Sequence, residues 1–203
     1  TDGAQTPTYS GTATINGSIY GCNNTNGSPK ANVFVNVYKT AHNEAANGYA
    51  IDQVFGGGNQ ADYSPTSNDS RTTVHVYTCD NTIRRVFAGG NAAAAIGVAN
   101  IIDGGRFEYV YGGGNGEVAP ANIGAGGTNL QVHGGNITYL FGGSNHSGTI
   151  TGPMRVSVDG EGACAQDMYI TEFFCGNNEA PINTSIVAEI GCGTRFGDVY
   201  GGC

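Results

Sequence analysis

"IDQVFGGGN", residues 51–59, ends in a glycine-rich turn that recurs along the chain. Close copies are "VFAGGN" at 86–91, "VYGGGN" at 110–115 and "LFGGSN" at 140–145; looser copies are "IYGCNN" at 19–24, "FFCGNN" at 173–178 and "VYGGC" at 199–203. The aromatic residues of successive copies are 24 to 35 residues apart. A period of this size is typical of solenoids, propellers and related repeat arrays.

The residues upstream of each turn predict short strands. "VFVNVY" at 33–38 and "TVHVYT" at 73–78 alternate apolar and polar residues, as strands with one buried face do. Two further apolar residues, three positions apart, precede each turn in most copies and suggest two short strands joined by a bend. We therefore predict an all-β fold, a single-stranded parallel β-helix (β-solenoid) of six to seven coils with three short strands each. A β-propeller is the rival, but its blades need about 40–50 residues and hairpin turns.

Composition limits the possible partners. The 203 residues include 35 Gly and carry a formal net charge of −8, which argues against a nucleic-acid partner. No stretch is long and apolar enough to insert into a membrane. We treat residues 1–203 as one β-solenoid domain, in which residues 1–18 form an N-terminal cap or a further coil and the repeats run from about 19 to 203.

The repeat predicts two structural columns of side chains. We expect glycine in the turns because a repeated corner needs positive φ angles. The closing asparagines should stack from coil to coil and hydrogen-bond through their amides. The aromatic residues should form a second column, which either packs inward at a corner or forms an outer stripe for sugar stacking or lateral contact. The asparagine column is Asn24, Asn59, Asn91, Asn115, Asn145 and Asn178; the aromatic column is Tyr20, Phe55, Phe87, Tyr111, Phe141, Phe174 and Tyr200.

The six cysteines favour disulfides and an oxidising compartment, because no Cys-x-x-Cys pair suggests zinc. Cys164 and Cys192 are 28 residues apart, as are Cys175 and Cys203, which is close to the local repeat of 26. We therefore predict the disulfides Cys164–Cys192 and Cys175–Cys203. The pairing of Cys22 and Cys79 stays open.

The sequence contains no recognisable catalytic constellation, so we predict a non-enzymatic protein with no catalytic, cofactor-binding or metal-binding residues and no cofactor. The histidines are scattered, and His75 and His133 alternate with core positions, so they should point outward. Asp52, Asp103, Glu108 and Glu117 lie on neighbouring coils, but acidic residues do not recur at one register.

The repeats "IDQVFGGGN", "FEYVYGGGN" and "GGNITYLFGGSN" resemble those of secreted or surface-anchored, adhesin-like bacterial β-helix proteins. The resemblance spans about residues 14–203 and implies an extracellular or cell-surface structural or adhesive role. We expect a subunit of a surface fibre or filament that associates end to end, or part of a longer chain, with host or microbial glycans as further partners. The alternative is a carbohydrate-binding or polysaccharide-degrading parallel β-helix.

Overall fold

The computed structural model describes residues 15–40 and 48–202, and the named strands of these residues form two parallel sheets. The strands are, in order, β1 (Ile15–Tyr20), β2 (Val33–Val37), β3 (Ile51–Phe55), β4 (Thr72–Val76), β5 (Thr82–Phe87), β6 (Ala95–Ile102), β7 (Arg106–Tyr111), β8 (Ile123–Val132), β9 (Asn136–Phe141), β10 (Met154–Val158), β11 (Tyr169–Phe174), β12 (Ile186–Ile190) and β13 (Phe196–Tyr200). One turn of 3-10 helix, Ala165–Asp167, precedes β11.

Successive strands alternate between the two sheets, so the chain winds as a solenoid. The odd-numbered strands form a seven-stranded sheet and the even-numbered strands a six-stranded sheet, each in chain order. Every neighbouring pair is parallel, as in β3 with β5 and β4 with β6. This arrangement confirms the predicted all-β parallel β-helix and its number of coils.

The core forms from equivalent residues that lie directly above one another. On the seven-stranded sheet, Val54 pairs in register with Val86, Val86 with Val110, and Val110 with Leu140. All four side chains are fully buried. A single coil could not bury them, because each aliphatic side chain is covered by its counterparts in the coils before and after it. Burial of one such side chain contributes about 1.5–3 kcal/mol.

Each coil contains two strands rather than the predicted three. The bend between the two apolar positions lies inside one continuous strand, as in β3, where Ile51 and Val54 are both buried. Strict alternation would place residues three apart on opposite faces. The bend lets both side chains enter the core while Asp52 and Gln53 between them stay partly exposed.

The turn glycines are required for a reason that differs from the prediction. None of the glycines at 56–58, 112–114 or 142–143 has a positive φ, and no described non-glycine residue has one. The constraint is the close approach of consecutive coils. A Cβ atom on Gly112 would lie 2.2 Å from the carbonyl oxygen of Gly142 in the next coil. Positive φ angles occur instead at the breaks between the sheets, at Gly105 and Gly135.

Ala88 occupies the same column as Gly112, and the hydrogen bond from its N–H to the oxygen of Tyr111 is 3.3 Å, against 2.9 Å from Gly112 to Phe141. We expect Gly112→Ala to lower the free energy of unfolding by about 1–3 kcal/mol, because the backbone must separate locally. Urea unfolding measures this. Gly17→Ala is the control, because no atom lies within 4 Å of the added Cβ. Equal effects of the two substitutions would contradict the close-approach explanation.

Candidate functional site

The asparagines at the ends of the turns form a continuous hydrogen-bonded ladder. The Nδ2 atom of each later residue donates to the Oδ1 atom of the residue one coil earlier. The five bonds are 2.7–2.9 Å long and join Asn24, Asn59, Asn91, Asn115, Asn145 and Asn178. The ladder therefore has a direction, and the bonds can polarise one another. At its C-terminal end, the Oδ1 atom of Asn178 has no donor among the described residues.

The aromatic column lies beside this ladder. Its seven rings are stacked from Tyr20 to Tyr200, with centroids 4.6–5.0 Å apart and interplanar angles of 1–9°. The four middle rings are buried, and they form a cluster separate from the main core. The Tyr111 hydroxyl donates to Asn145 Oδ1 at 3.1 Å and thereby connects the column to the ladder. Burial raises the pKa of Tyr111, so this hydroxyl stays protonated.

Asn115→Ala tests the ladder at a buried position. The change leaves the Oδ1 of Asn91 and the Nδ2 of Asn145 without their partners, so we expect a loss of about 1–3 kcal/mol in the free energy of unfolding. Asn178→Ala is the matched control, because that exposed residue makes one ladder bond, and its loss should be below about 1 kcal/mol. Chemical denaturation of both variants measures the difference. An equally small effect at both sites would show that the asparagines act only as turn formers.

One disulfide clamps the coils together. Cys79 and Cys164 are bonded with a Cα–Cα distance of 5.4 Å, although they are 85 residues apart in sequence. The bond passes over the turn of an intervening coil, because a Cβ on Gly104 would lie 2.3 Å from the Cys164 sulfur and 3.1 Å from the Cys79 Cα. Glycine at this position leaves room for the crosslink. The chain-entropy model assigns a loop of this length about 4–5 kcal/mol of stabilisation.

The predicted pairing Cys164–Cys192 is wrong. The register of β10 with β12 shows an offset of 32 residues at this point rather than 26, and Cys192 adjoins Gly160 through a backbone hydrogen bond. The extra residues between β10 and β11 carry Cys164 back toward earlier coils. Cys192 is an exposed free thiol.

Two further thiols are free. Cys175 is buried, and its predicted partner Cys203 lies outside the described residues. Burial raises the pKa of Cys22 to about 11 and also raises that of Cys175, so both remain thiols at neutral pH.

A polar groove lies along the outer side of the six-stranded sheet. Tyr77, Asp103, His133 and Asp159 directly follow β4, β6, β8 and β10, so they occupy equivalent places on four successive coils. Glu161, Gly162 and Ala163, in the segment anchored by Cys164, form its wall, and the groove encloses about 420 Å³. We call these seven residues the polar groove.

Two histidine–carboxylate pairs belong to this region. His75 Nε2 lies 2.7 Å from Asp103 Oδ2, and His133 Nδ1 lies 2.9 Å from Asp159 Oδ1. A proton on His133 Nδ1, held by Asp159, would leave Nε2 as an acceptor. That is the arrangement of a histidine general base oriented by a carboxylate. The histidines face outward, as the strand alternation predicts.

Sequence reasoning missed these pairs. The signal was the separation of 28 residues between His75 and Asp103 and of 26 between His133 and Asp159, which is one coil. Of the acidic residues considered from the sequence, Asp52 and Glu108 lie on either side of Arg84, at 3.5 and 2.6 Å. Within residues 15–40 and 48–202, no group of three or more histidine, cysteine or acidic side chains is arranged to hold a metal ion.

The last described coil has exposed apolar side chains. Val199 and Tyr200 occupy the files of Val110 and Tyr111, yet they are 44% and 46% exposed. β12 and β13 are also the edge strands of their sheets. Unpaired strand edges of this kind present free backbone groups for pairing.

Comparisons with known proteins show no matching family model, no matching curated protein and no matching solved structure. Among the described residues, none of the helical segments has the length and apolar character needed to span a membrane.

Proposed function

We propose that this chain is a non-enzymatic, extracellular structural element, adhesive or fibre-forming, whose solenoid is extended at β12 and β13 by another coil of the same kind. The exposed last coil is the observation that supports the proposal. Val199 and Tyr200 lose about half of the cover that their counterparts have in inner coils. A further coil would bury them and satisfy the edge backbone groups.

A second copy of the chain supplies a suitable partner surface. Register along the sheets places Tyr200 in the file of Tyr20, and Val199 in the file of Ile19. Head-to-tail stacking would therefore continue the aliphatic and aromatic columns across the junction. It would also bring the amide of Asn24 to the unoccupied Oδ1 of Asn178.

The outer face of the six-stranded sheet favours the same junction. Phe34 on β2 and Val187 on β12 are 64% and 39% exposed and belong to one file of outward side chains. Stacking of two copies would place them next to each other. Heterologous contacts of this type do not close on themselves, so they generate filaments.

The extracellular setting is supported by the Cys79–Cys164 disulfide, because such bonds persist in oxidising compartments. The adhesive part of the proposal rests on the resemblance of the repeats to those of adhesin-like β-helix proteins. Continuation of the same polypeptide would satisfy the last coil equally well, and it predicts the same contacts within one chain.

Val199→Lys tests the stacking surface. We expect the wild-type chain to form higher oligomers with increasing concentration, measured by light scattering after size exclusion and by negative-stain microscopy. A charge in the aliphatic file should abolish this association, because the junction would bury an unpaired ammonium group. Val118→Lys is the control, because Val118 is an exposed valine on a lateral loop. A wild-type chain that stays monomeric at high concentration would refute association between copies.

A polysaccharide-degrading role is the second candidate, and the His133–Asp159 pair in the polar groove favours it. Assays for new reducing ends and unsaturated sugars on a panel of polysaccharides separate the two proposals. The structural proposal expects no release above that of His133→Asn, which lacks the general base. Release by the wild type that is lost in His133→Asn would instead establish the second candidate.

A further inference from the structure

A second, smaller pocket lies on the outer side of the seven-stranded sheet. It encloses about 210 Å³ and is lined by Arg84, Arg85, Tyr109, Tyr111, Asn145 and Asn178. Its walls come from β5, β7 and the turns that carry the asparagine ladder. We call it the arginine pocket.

The two arginines of the pocket differ in their partners. Arg84 is neutralised by Glu108, at 2.6 Å from its Nε, and by Asp52, at 3.5 Å from its Nη1. The Nε of Arg85 is buried and has no hydrogen-bond partner, and no carboxylate of the described residues pairs with this guanidinium. An ionised donor buried without an acceptor is unfavourable, and native structures rarely keep one without a reason. The pocket therefore lacks an acceptor.

The surroundings of Arg85 match an oxyanion. A guanidinium presents Nε–H and Nη–H groups as a planar fork that binds a carboxylate or sulfate through two parallel hydrogen bonds. No acidic side chain lines the pocket. Burial raises the pKa of Tyr109 and Tyr111, while the positive charge of Arg85 acts against that rise in both cases, which indicates that the charge lies close to both rings.

The remaining groups suit a sugar as the carrier of that oxyanion. Tyr109 and Tyr139 are partly exposed and stack with their centroids 4.9 Å apart, so they form an aromatic surface at the pocket. The amides of Asn145 and Asn178 and the hydroxyl of Tyr111 provide hydrogen-bonding groups of the kind that recognise hydroxyls. A pocket of this volume accommodates one acidic unit and not a long segment.

We infer that the arginine pocket binds the oxyanion of an acidic sugar unit, a carboxylate or a sulfate, with Arg85 as the residue that recognises the charge. The inference does not depend on end-to-end stacking, because none of the pocket residues belongs to β12 or β13. Loss of association in Val199→Lys would leave it unaffected.

Titration with defined oligosaccharides, followed by calorimetry and chemical-shift changes, tests the inference. The probes are a galacturonic acid trimer, a sulfated galactose trimer and a neutral galactose trimer. We expect one of the acidic trimers to bind at least about tenfold more tightly than the neutral one, and Arg85→Met to remove that difference. Arg155→Met is the control, because Arg155 is an exposed arginine on the other sheet. Carboxylate and sulfate are distinguished by which acidic trimer shows the preference.

The stability of the unliganded variant gives a second readout. A ligand-binding arginine should leave the melting temperature of Arg85→Met equal to or above that of the wild type, because the substitution removes an unpaired buried donor. A clear decrease in melting temperature, with acidic trimers bound as before, would assign Arg85 a structural role and overturn the inference. Equal affinity for neutral and acidic trimers, or binding of an acidic peptide in preference to both acidic sugars, would also overturn it.

Discussion

The parallel hydrogen bonding between consecutive coils is the constraint on which the rest of the structure depends. It fixes the coil spacing at about 4.8 Å, the ordinary separation of neighbouring strands. At that spacing, equivalent side chains must be in van der Waals contact with each other. Flat rings can stack at centroid distances of 4.6–5.0 Å, and amides can hydrogen-bond at 2.7–2.9 Å. The chemistry of each column follows from this single distance.

The same spacing explains where glycine is needed. In the turns, the backbone of one coil approaches the next so closely that a Cβ on Gly142 would lie 2.1 Å from the carbonyl oxygen of Cys175. Alanine at 88 shows that one coil can separate slightly at this position, with a longer hydrogen bond to Tyr111. The turn therefore tolerates small residues with some loss of backbone hydrogen bonding. Larger side chains would interrupt the two columns that follow it.

The periodic part of the structure could be predicted from the sequence, and the part that depends on loop lengths could not. The file that contains Val54, Val86 and Val110 follows from equal places in consecutive repeats. Cys164 could not be placed in this way, because the extra residues before β11 carry it to Cys79 rather than Cys192. The histidine–carboxylate pairs were within reach of the sequence, but His75 and Asp103 occupy places that differ by two residues within their coils.

Departures from the column pattern are the places where function should be sought. Asn100 replaces an apolar residue in the file of Val74 and Leu130, and its Nδ2 donates to the oxygen of Tyr111 at 2.9 Å. That bond secures the turn in which Ala88 replaces glycine, so this departure has a structural explanation. Arg85 differs, because its buried Nε satisfies no group of the described chain. In a protein whose polar side chains are paired from coil to coil, a buried donor without an acceptor is best explained by a ligand that supplies one.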